Sequence, residues 1–301
     1  MTPGGSAPQV PGDAVVSLTG AERAKQLRGE AALVAGELAA AGSAVRLAVV
    51  VATEDESTGW YVRSIARAAD RAGIACDLVT LPPDAEPGLI RAKLAQLSAD
   101  DGVHGIILQT PLPPGAVAAE LAADIAPGKD VDGANPLSLG RLAAGLPAFA
   151  PATAEAVVSL LDAHKIDLAG RTAAVVGRST VVGKPLAHLL LDRDATVTVC
   201  HSRTADLAAV TRGADIVVAA VGRAGLITAE HLKPGAVVVD VGTNVLPDGT
   251  LTGDVDAPSA AGRASALSPV PGGVGPITTA LLLSHTVRAA ARTAGHPFGN
   301  G

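Results

Sequence analysis

Thr172-Ala173-Ala174-Val175-Val176-Gly177-Arg178-Ser179-Thr180-Val181-Val182-Gly183 runs an apolar strand into a glycine turn, with a helix to follow. Such a strand–turn–helix aims backbone N–H groups and a helix N-terminus at one point, where a pyrophosphate can sit. The second glycine of the usual G-x-G-x-x-G is Ser179 here, so the turn by itself reads equally as a plain tight connection. The surrounding pattern decides for a nucleotide fold. Thr172–Gly177, Ala195–Cys200, Ile216–Gly222 and Ala236–Gly242 read as strands with helices between them, a second parallel sheet.

Upstream lies a first series. Val45–Ala52, Cys76–Thr80 and Val103–Gln109 read as buried strands, separated by helical stretches near Gly20–Ala41, Thr58–Ala72 and Pro87–Ser98. Between the two series Pro111, Pro113, Pro114, Pro127, Gly128, Gly133 and Pro136 crowd into a belt of turns, a natural place for site loops. The boundary falls near Pro151, with Ala154–His164 as a connecting helix. A long Leu/Ala helix from Pro276 to about Ala294 follows a Gly-rich loop and is expected to pack back on the first domain. The fold class is therefore α/β with two domains. Residues 14–150 plus 277–301 form one, and 151–276 form the Rossmann-type dinucleotide-binding domain.

NAD-selective folds place an acidic residue ~20 positions after the turn, to bond the ribose 2′-hydroxyl. This chain has Cys200-His201-Ser202-Arg203-Thr204 there, and nothing acidic before Asp206. Arg203, Ser202 and Arg178 suit a 2′-phosphate instead, because guanidinium pairs well with phosphate oxygens. The cofactor is thus expected to be NADP rather than NAD.

Composition removes other classes. Hydrophobic residues are 48% of 301 but aromatics only 1%, so the core must be aliphatic and stacking platforms for nucleic acid are scarce. A net charge of −6 with no basic block disfavours nucleic acid and anionic membrane. No apolar run reaches the roughly 20 residues of a membrane span. Met1–Asp13, rich in Gly and Pro without a charged or apolar region, reads as a loose tail rather than a signal peptide. Cys76 and Cys200 lie far apart, so neither a disulfide framework nor a metal site is expected, and a cytoplasmic location follows.

Several further stretches carry a resemblance. They are Pro269-Val270-Pro271-Gly272-Gly273-Val274-Gly275-Pro276-Ile277-Thr278, Val182-Gly183-Lys184-Pro185, Lys129-Asp130-Val131-Asp132-Gly133, Asp240-Val241-Gly242, Gly253-Asp254-Val255-Asp256, and Gln109 with Pro111-Leu112-Pro113. Together with Gly177-Arg178-Ser179 they resemble the bifunctional methylenetetrahydrofolate dehydrogenase/methenyltetrahydrofolate cyclohydrolase family over nearly the whole chain. The resemblance implies a folate-binding substrate domain and an NADP domain facing one another across a cleft, with a homodimeric assembly. It implies NADP-dependent oxidation of 5,10-methylenetetrahydrofolate to the methenyl form, followed by hydrolysis. By the same resemblance Asp132 accepts from the pterin, Tyr61 lies over the folate and Gln109 bonds near the reacting carbon. Pro111, Gly272, Gly273, Pro276 and Thr278 complete the folate side. Gly177, Arg178, Ser179, Gly183, His201, Ser202, Arg203, Gly222 and Thr243 hold the nucleotide.

One departure bears on the chemistry. The family's Tyr-x-x-x-Lys reads Tyr61-Val62-Arg63-Ser64-Ile65, so Ile65 stands where the resemblance implies the central catalytic lysine. Arg63 and Arg67, at ~100° per residue, point well off the Tyr61 face, and an arginine is a poor general base. Thr58, Glu56, Thr110, Ser138, Ala154, Ala156 and His285 also depart from the family's usual residues, on the folate side. Dehydrogenase activity with weak or absent cyclohydrolase activity is expected. The alternatives are a non-redox enzyme passing the methylene carbon to another acceptor, and a catalytically silent relative.

Overall fold

The computed structural model describes residues 15–300, and the tail expected at Met1–Asp13 lies outside them. A short strand β1 (Val16–Ser17) and helix α1 (Ala21–Ala40) come first. The first alternating series is β2 (Arg46–Val51), α2 (Glu56–Arg71), β3 (Ala75–Thr80), α3 (Pro87–Ala99) and β4 (Gly105–Leu108). Two small helices, α4 (Ala118–Ala122) and α5 (Pro136–Ala143), punctuate the Pro-rich belt before α6 (Ala152–Ala163). The second series is β5 (Thr172–Val176), α7 (Gly183–Leu191), β6 (Thr196–Cys200), α8 (Leu207–Thr211), β7 (Ile216–Ala219) and β8 (Ala236–Asp240). A small hairpin of β9 (Asn244–Val245) and β10 (Leu251–Thr252), helix α9 (Ala257–Ala260), strand β11 (Ala264–Leu267) and the long α10 (Val274–Thr293) complete it.

The first series makes a parallel sheet in the order β3-β2-β4, and the second a parallel sheet in the order β1-β11-β8-β7-β5-β6. In each, a strand is flanked by its successors on opposite sides. Loops leaving its carboxyl end therefore diverge and open a crevice.

Alternation along the strands builds the core. Leu47, Val49 and Val51 of β2 face α1, α2 and α10, while Ala48 and Val50 face Ile90 and Leu94 of α3 and Leu121 of α4. In β5, Ala173 and Val175 point to the same side as the first set. One aliphatic core thus runs from β2 through α1, α6 and α10 to β5 and β7. Helix α10 is buried on nearly every face, which explains its Leu/Ala composition.

Several expectations shift. Strand β3 is not buried throughout: it is the sheet edge, and Leu78 is exposed. Strand β6 is likewise a half-exposed edge. Strands β1 and β11 extend the second sheet, so residues 16–17 pair with that sheet rather than with the first. Strands β4, β7 and β8 end earlier than the apolar runs, because residues beyond them leave the ladder to build loops. Helix α2 starts at Glu56, since Asp55 caps it by accepting from Thr58 N at 2.8 Å.

Removing buried volume from α10 tests its role as the shared element. Leu283, fully buried between the sheets, should cost about 2–5 kcal/mol when replaced by alanine. Urea unfolding should show the loss with the slope of the transition unchanged.

Candidate active site in the cleft between the sheets

The carboxyl ends of both sheets face a cleft with two connected hollows. One, of about 440 Å³, is lined by Tyr61 and Ser64 of α2, by Asp240–Thr243 after β8, and by Pro269–Pro276. The other, of about 310 Å³, is lined by Ile107–Thr110, Asp132, Thr180, Val181 and Leu282. Tyr61, Thr153 and Thr278 line both, so the two hollows are parts of one site. The Gly-rich loop is fixed from behind. Gly20 N donates to Gly272 O at 2.9 Å, and a Cβ on Gly20 would sit 2.1 Å from Gly273 O.

Two nearby aspartates have different surroundings. Asp130 is fully buried and accepts from Ala134 N, Asn135 N and Ser138 Oγ at 2.9, 3.0 and 2.6 Å, so it shapes the loop. Asp132 faces the cleft, and its carboxylate has no hydrogen-bond partner among the described residues. Burial, and next the charge of Asp130, push its pKa up to about 7, against a smaller opposing effect of His285. Gly133, at φ +65, carries the loop past Pro151, whose nitrogen a Cβ would approach to 2.4 Å.

Tyr61 presents its ring to the cleft. Its phenol is pushed above the usual range by burial and then by the Asp132 charge, against a smaller opposing effect of the Thr279 side chain. Gln109 ends β4, with its N–H on Val50 O and its side-chain amide on Thr110 O, each at 2.9 Å. Ile65, one turn after Tyr61, does not line the cleft. It is fully buried in the central core with Val62 and Ala69. Half-buried Ser64 lines the cleft beside Tyr61 instead. Pro111 lies at the rim, just outside the lined hollows.

On the other side, glycines permit close approach. Gly177, at φ +135, would put a Cβ 2.2 Å from Ala220 O, and one on Gly183 would lie 2.1 Å from Gly177 O. Ser179 Oγ accepts from Val182 N at 3.1 Å at the start of α7, so the hydroxyl that replaces the second glycine organises the turn. Gly177 N donates to Cys200 O at 2.9 Å. Arg178 and the His201–Arg203 loop therefore leave adjacent strand ends, all but the half-buried His201 exposed. Ser202 and Arg203 lie on a turn tied by His201 N to Thr204 Oγ1. Gly222 follows β7, and Thr243 borders the larger hollow.

Sequence reading gave no role to the residues that hold these loops. Asp254 accepts from Val221 N, Gly222 N and Arg223 N at 2.6, 3.0 and 2.7 Å, and from Asn244 Nδ2 at 3.0 Å. Asp240 accepts from Gly242, Asp254 and Val255 N. A Cβ on Gly242 or Gly253 would collide with these carboxylates, which explains the glycines in Asp240-Val241-Gly242 and Gly253-Asp254-Val255-Asp256. No group of three metal-ligating side chains occurs among the described residues. No helix among them is long and apolar enough to cross a membrane.

Residues 18–132 match the catalytic domain of the tetrahydrofolate dehydrogenase/cyclohydrolase family, and residues 151–294 match its NAD(P)-binding domain. The chain belongs to this family. A relative called bifunctional protein FolD 1, from Saccharopolyspora erythraea, is 64% identical over 93% of this chain and 96% of its own. The solved bifunctional FolD of Campylobacter jejuni is 38% identical with a TM-score of 0.90, over 93% of this chain and all of the other. The Trypanosoma brucei FolD structure, complexed with NADP cofactor and inhibitor, is 34% identical with a TM-score of 0.88, covering 94% and 99% of the two chains. The fold expected from sequence is thus the family's fold, with α10 returning to the first sheet.

Asp254→Asn isolates the loop-holding role. One carboxylate oxygen becomes an amide donor facing backbone N–H groups, so the Val221–Arg223 loop should loosen. Calorimetric titration should record dinucleotide affinity falling by about tenfold or more, as expected for charge-assisted bonds of about 1.5–3 kcal/mol, with folate affinity changing far less.

Proposed function

We propose that this chain oxidises 5,10-methylenetetrahydrofolate to the 5,10-methenyl form with NADP, and that its hydrolytic step is strongly impaired. Asp132 carries the reading: it is an unpartnered, cleft-facing carboxylate, poised to accept from the N–H groups of a pterin. With Tyr61 and Gln109 it forms the folate half, and Pro111, Gly272, Gly273, Pro276 and Thr278 border the bound substrate. The oxidation removes one hydride from the bridging carbon and leaves its positive charge shared with the flanking nitrogens. Placement in a water-poor cleft therefore does most of the work.

The glycine-lined turn fits a dinucleotide, and bound NADP supplies the hydride acceptor. Gly177, Ser179 and Gly183 admit and position the pyrophosphate, while Gly222 and Thr243 border the nicotinamide end. Arg178, His201, Ser202 and Arg203 surround the 2′-phosphate, a choice supported by the lack of any acidic residue beside them. Apart from β1, which joins the second sheet, residues 14–150 with 277–301 then form the folate-binding unit and 151–276 the nucleotide-binding unit. A homodimer is carried over from the same resemblance. The two free thiols, one in each sheet, suit a cytoplasmic protein.

Hydrolysis demands more. Water must be activated and a nitrogen protonated, and acid–base help of this kind contributes about 10²–10⁴-fold. Ile65 supplies none. The solved Campylobacter jejuni relative is described as both dehydrogenase and cyclohydrolase; this reading separates the two here.

The test is direct. NADPH absorbance should rise with methylenetetrahydrofolate, and methenyltetrahydrofolate should accumulate. Rapid conversion to the 10-formyl product would overturn the hydrolytic part, and turnover without NADP would favour methylene transfer to another acceptor. Ile65→Lys should bring hydrolysis up measurably. Arg203→Ala should lower the NADP-over-NAD preference in kcat/KM by about tenfold or more, since charged hydrogen bonds contribute about 1.5–3 kcal/mol.

Asp132 also sets a pH dependence. Its carboxylate accepts through both oxygens only when ionised, so kcat/KM for the folate should be half-maximal near pH 7 and close to full about one pH unit above it. Below that it should fall by about tenfold per pH unit, as one protonation dictates. Asp132→Asn should abolish this limb.

A further inference from the structure

Behind Asp132 lies a pair unrelated to the folate contacts, a buried histidine and a half-buried glutamate. His285, on α10, is completely buried. Its Nδ1 is 2.8 Å from Val131 O, the carbonyl just before Asp132, while its Nε2 has no hydrogen-bond partner among the described residues but lies at ion-pair distance, 3.1 Å, from Glu155 Oε2 of α6. A carbonyl and a carboxylate both present lone pairs, so each ring nitrogen needs a proton to face its neighbour without repulsion. The ring also stacks on Phe149, centroids 4.9 Å apart, and Arg292 lies 4.9 Å over that same phenyl ring. A cation over an aromatic face is a favourable arrangement.

We infer that His285 is a positioning residue for the folate half of the cleft: an imidazolium, facing Glu155, that holds the Val131 carbonyl and favours the ionised form of Asp132. The inference rests on Asp132 being the folate-facing carboxylate. It relocates a charge. Where the resemblance puts a lysine on α2 this chain has Ile65, and where it puts an asparagine on α10 this chain has His285.

The charged groups around the ring are consistent with this role. Asp130 and Asp132 come from the loop after β4, Glu155 from α6, Arg23 from α1, and Arg288 and Arg292 from α10 itself. Burial pushes Glu155 up, but His285, then Arg288 and Arg23, hold it below the ordinary carboxylate range. An ionised Glu155 is what a buried imidazolium requires, because an unpaired charge there would be costly.

Two measurements on the full chain test this. In ¹⁵N-labelled protein, imidazole NMR at about pH 8 should find both His285 nitrogens protonated. A neutral single tautomer overturns the inference, whatever the enzyme's activity. In kinetics, His285→Asn keeps a donor for Val131 O but removes the cation. The acid limb of kcat/KM for methylenetetrahydrofolate should then move up by about one pH unit, at the low end of what a nearby unit charge imposes. KM near pH 6.5 should rise about tenfold and return to the wild-type value near pH 9, with kcat little changed. A pH-independent change in KM overturns the role. Glu155→Gln, which leaves the imidazole in place, should shift the limb the same way by less; if His285→Asn does not fold, that variant decides, and an unmoved limb rejects the role.

Discussion

Everything in this molecule hangs on the packing of α10 between the two sheets. Few helices are apolar on nearly every face, and those that are must be surrounded. Here β4 and α2 lie on one side, with α1 and α6 on the others. Close approach is built in: a Cβ on Gly105 of β4 would sit 2.7 Å from Thr286 Oγ1. Because α10 also begins directly after the Gly-rich loop, its seating fixes where that loop meets Gly20 and where Thr278 and Leu282 enter the cleft. The width of the site follows from helix packing, not from the loops that line it.

Within that frame, carboxylates divide into those that build and those that are left free. Asp130, Asp240 and Asp254 are buried and spend their oxygens on backbone N–H groups, so each fixes a loop. Asp132 belongs to the same short motif as Asp130, two residues on, yet its oxygens face the cleft. Environment alone separates a structural carboxylate from a functional one. The like charge of Asp130 adds to burial in making Asp132 reluctant to ionise. A cation behind it, with no contact to substrate, is therefore a physically sensible place to adjust the site.

Most of the strand–helix alternation was legible because parallel strands buried on both faces read as unbroken Val, Ile, Leu and Ala runs. Strand β1, of two residues, and β11, reading Ala-Ser-Ala-Leu, lack that signal, so the second sheet came out two strands short. Tyr61, Gln109, Asp132 and Thr278 were readable only jointly, from motifs that no one of them carries alone. The structure gathers these four around the connected hollows. It leaves Pro111 at the rim and sets Ser202 and Arg203 at the edge of the second sheet. The pairing of Glu155 with His285 had no local signature. The partners are 130 positions apart, and neither spacing nor periodicity reports a contact across that distance. Asp254 was visible in a quoted motif, but the amides it gathers come from a loop more than thirty residues upstream.

On the function proposed above, Ile65 is the substitution that separates two reactions sharing a cleft. It sits wholly within the aliphatic core, with Val62 before it and Ala68 and Ala69 after, so it leaves no unpaired polar group. Hydride transfer tolerates such a site and gains from it, because exclusion of water protects the cation that forms. Hydrolysis of that same cation needs water, a base and a proton donor together. Of the groups near α2, the Tyr61 phenol is held too weakly acidic to donate readily, and Arg63 and Arg67 turn to solvent. Of the carboxylates lining the cleft, Asp240 is taken up by backbone N–H groups, and Asp132 is the one that the proposed pterin contact occupies. Under the function proposed above, a dry α2 face with a cation behind Asp132 favours the first reaction at the expense of the second.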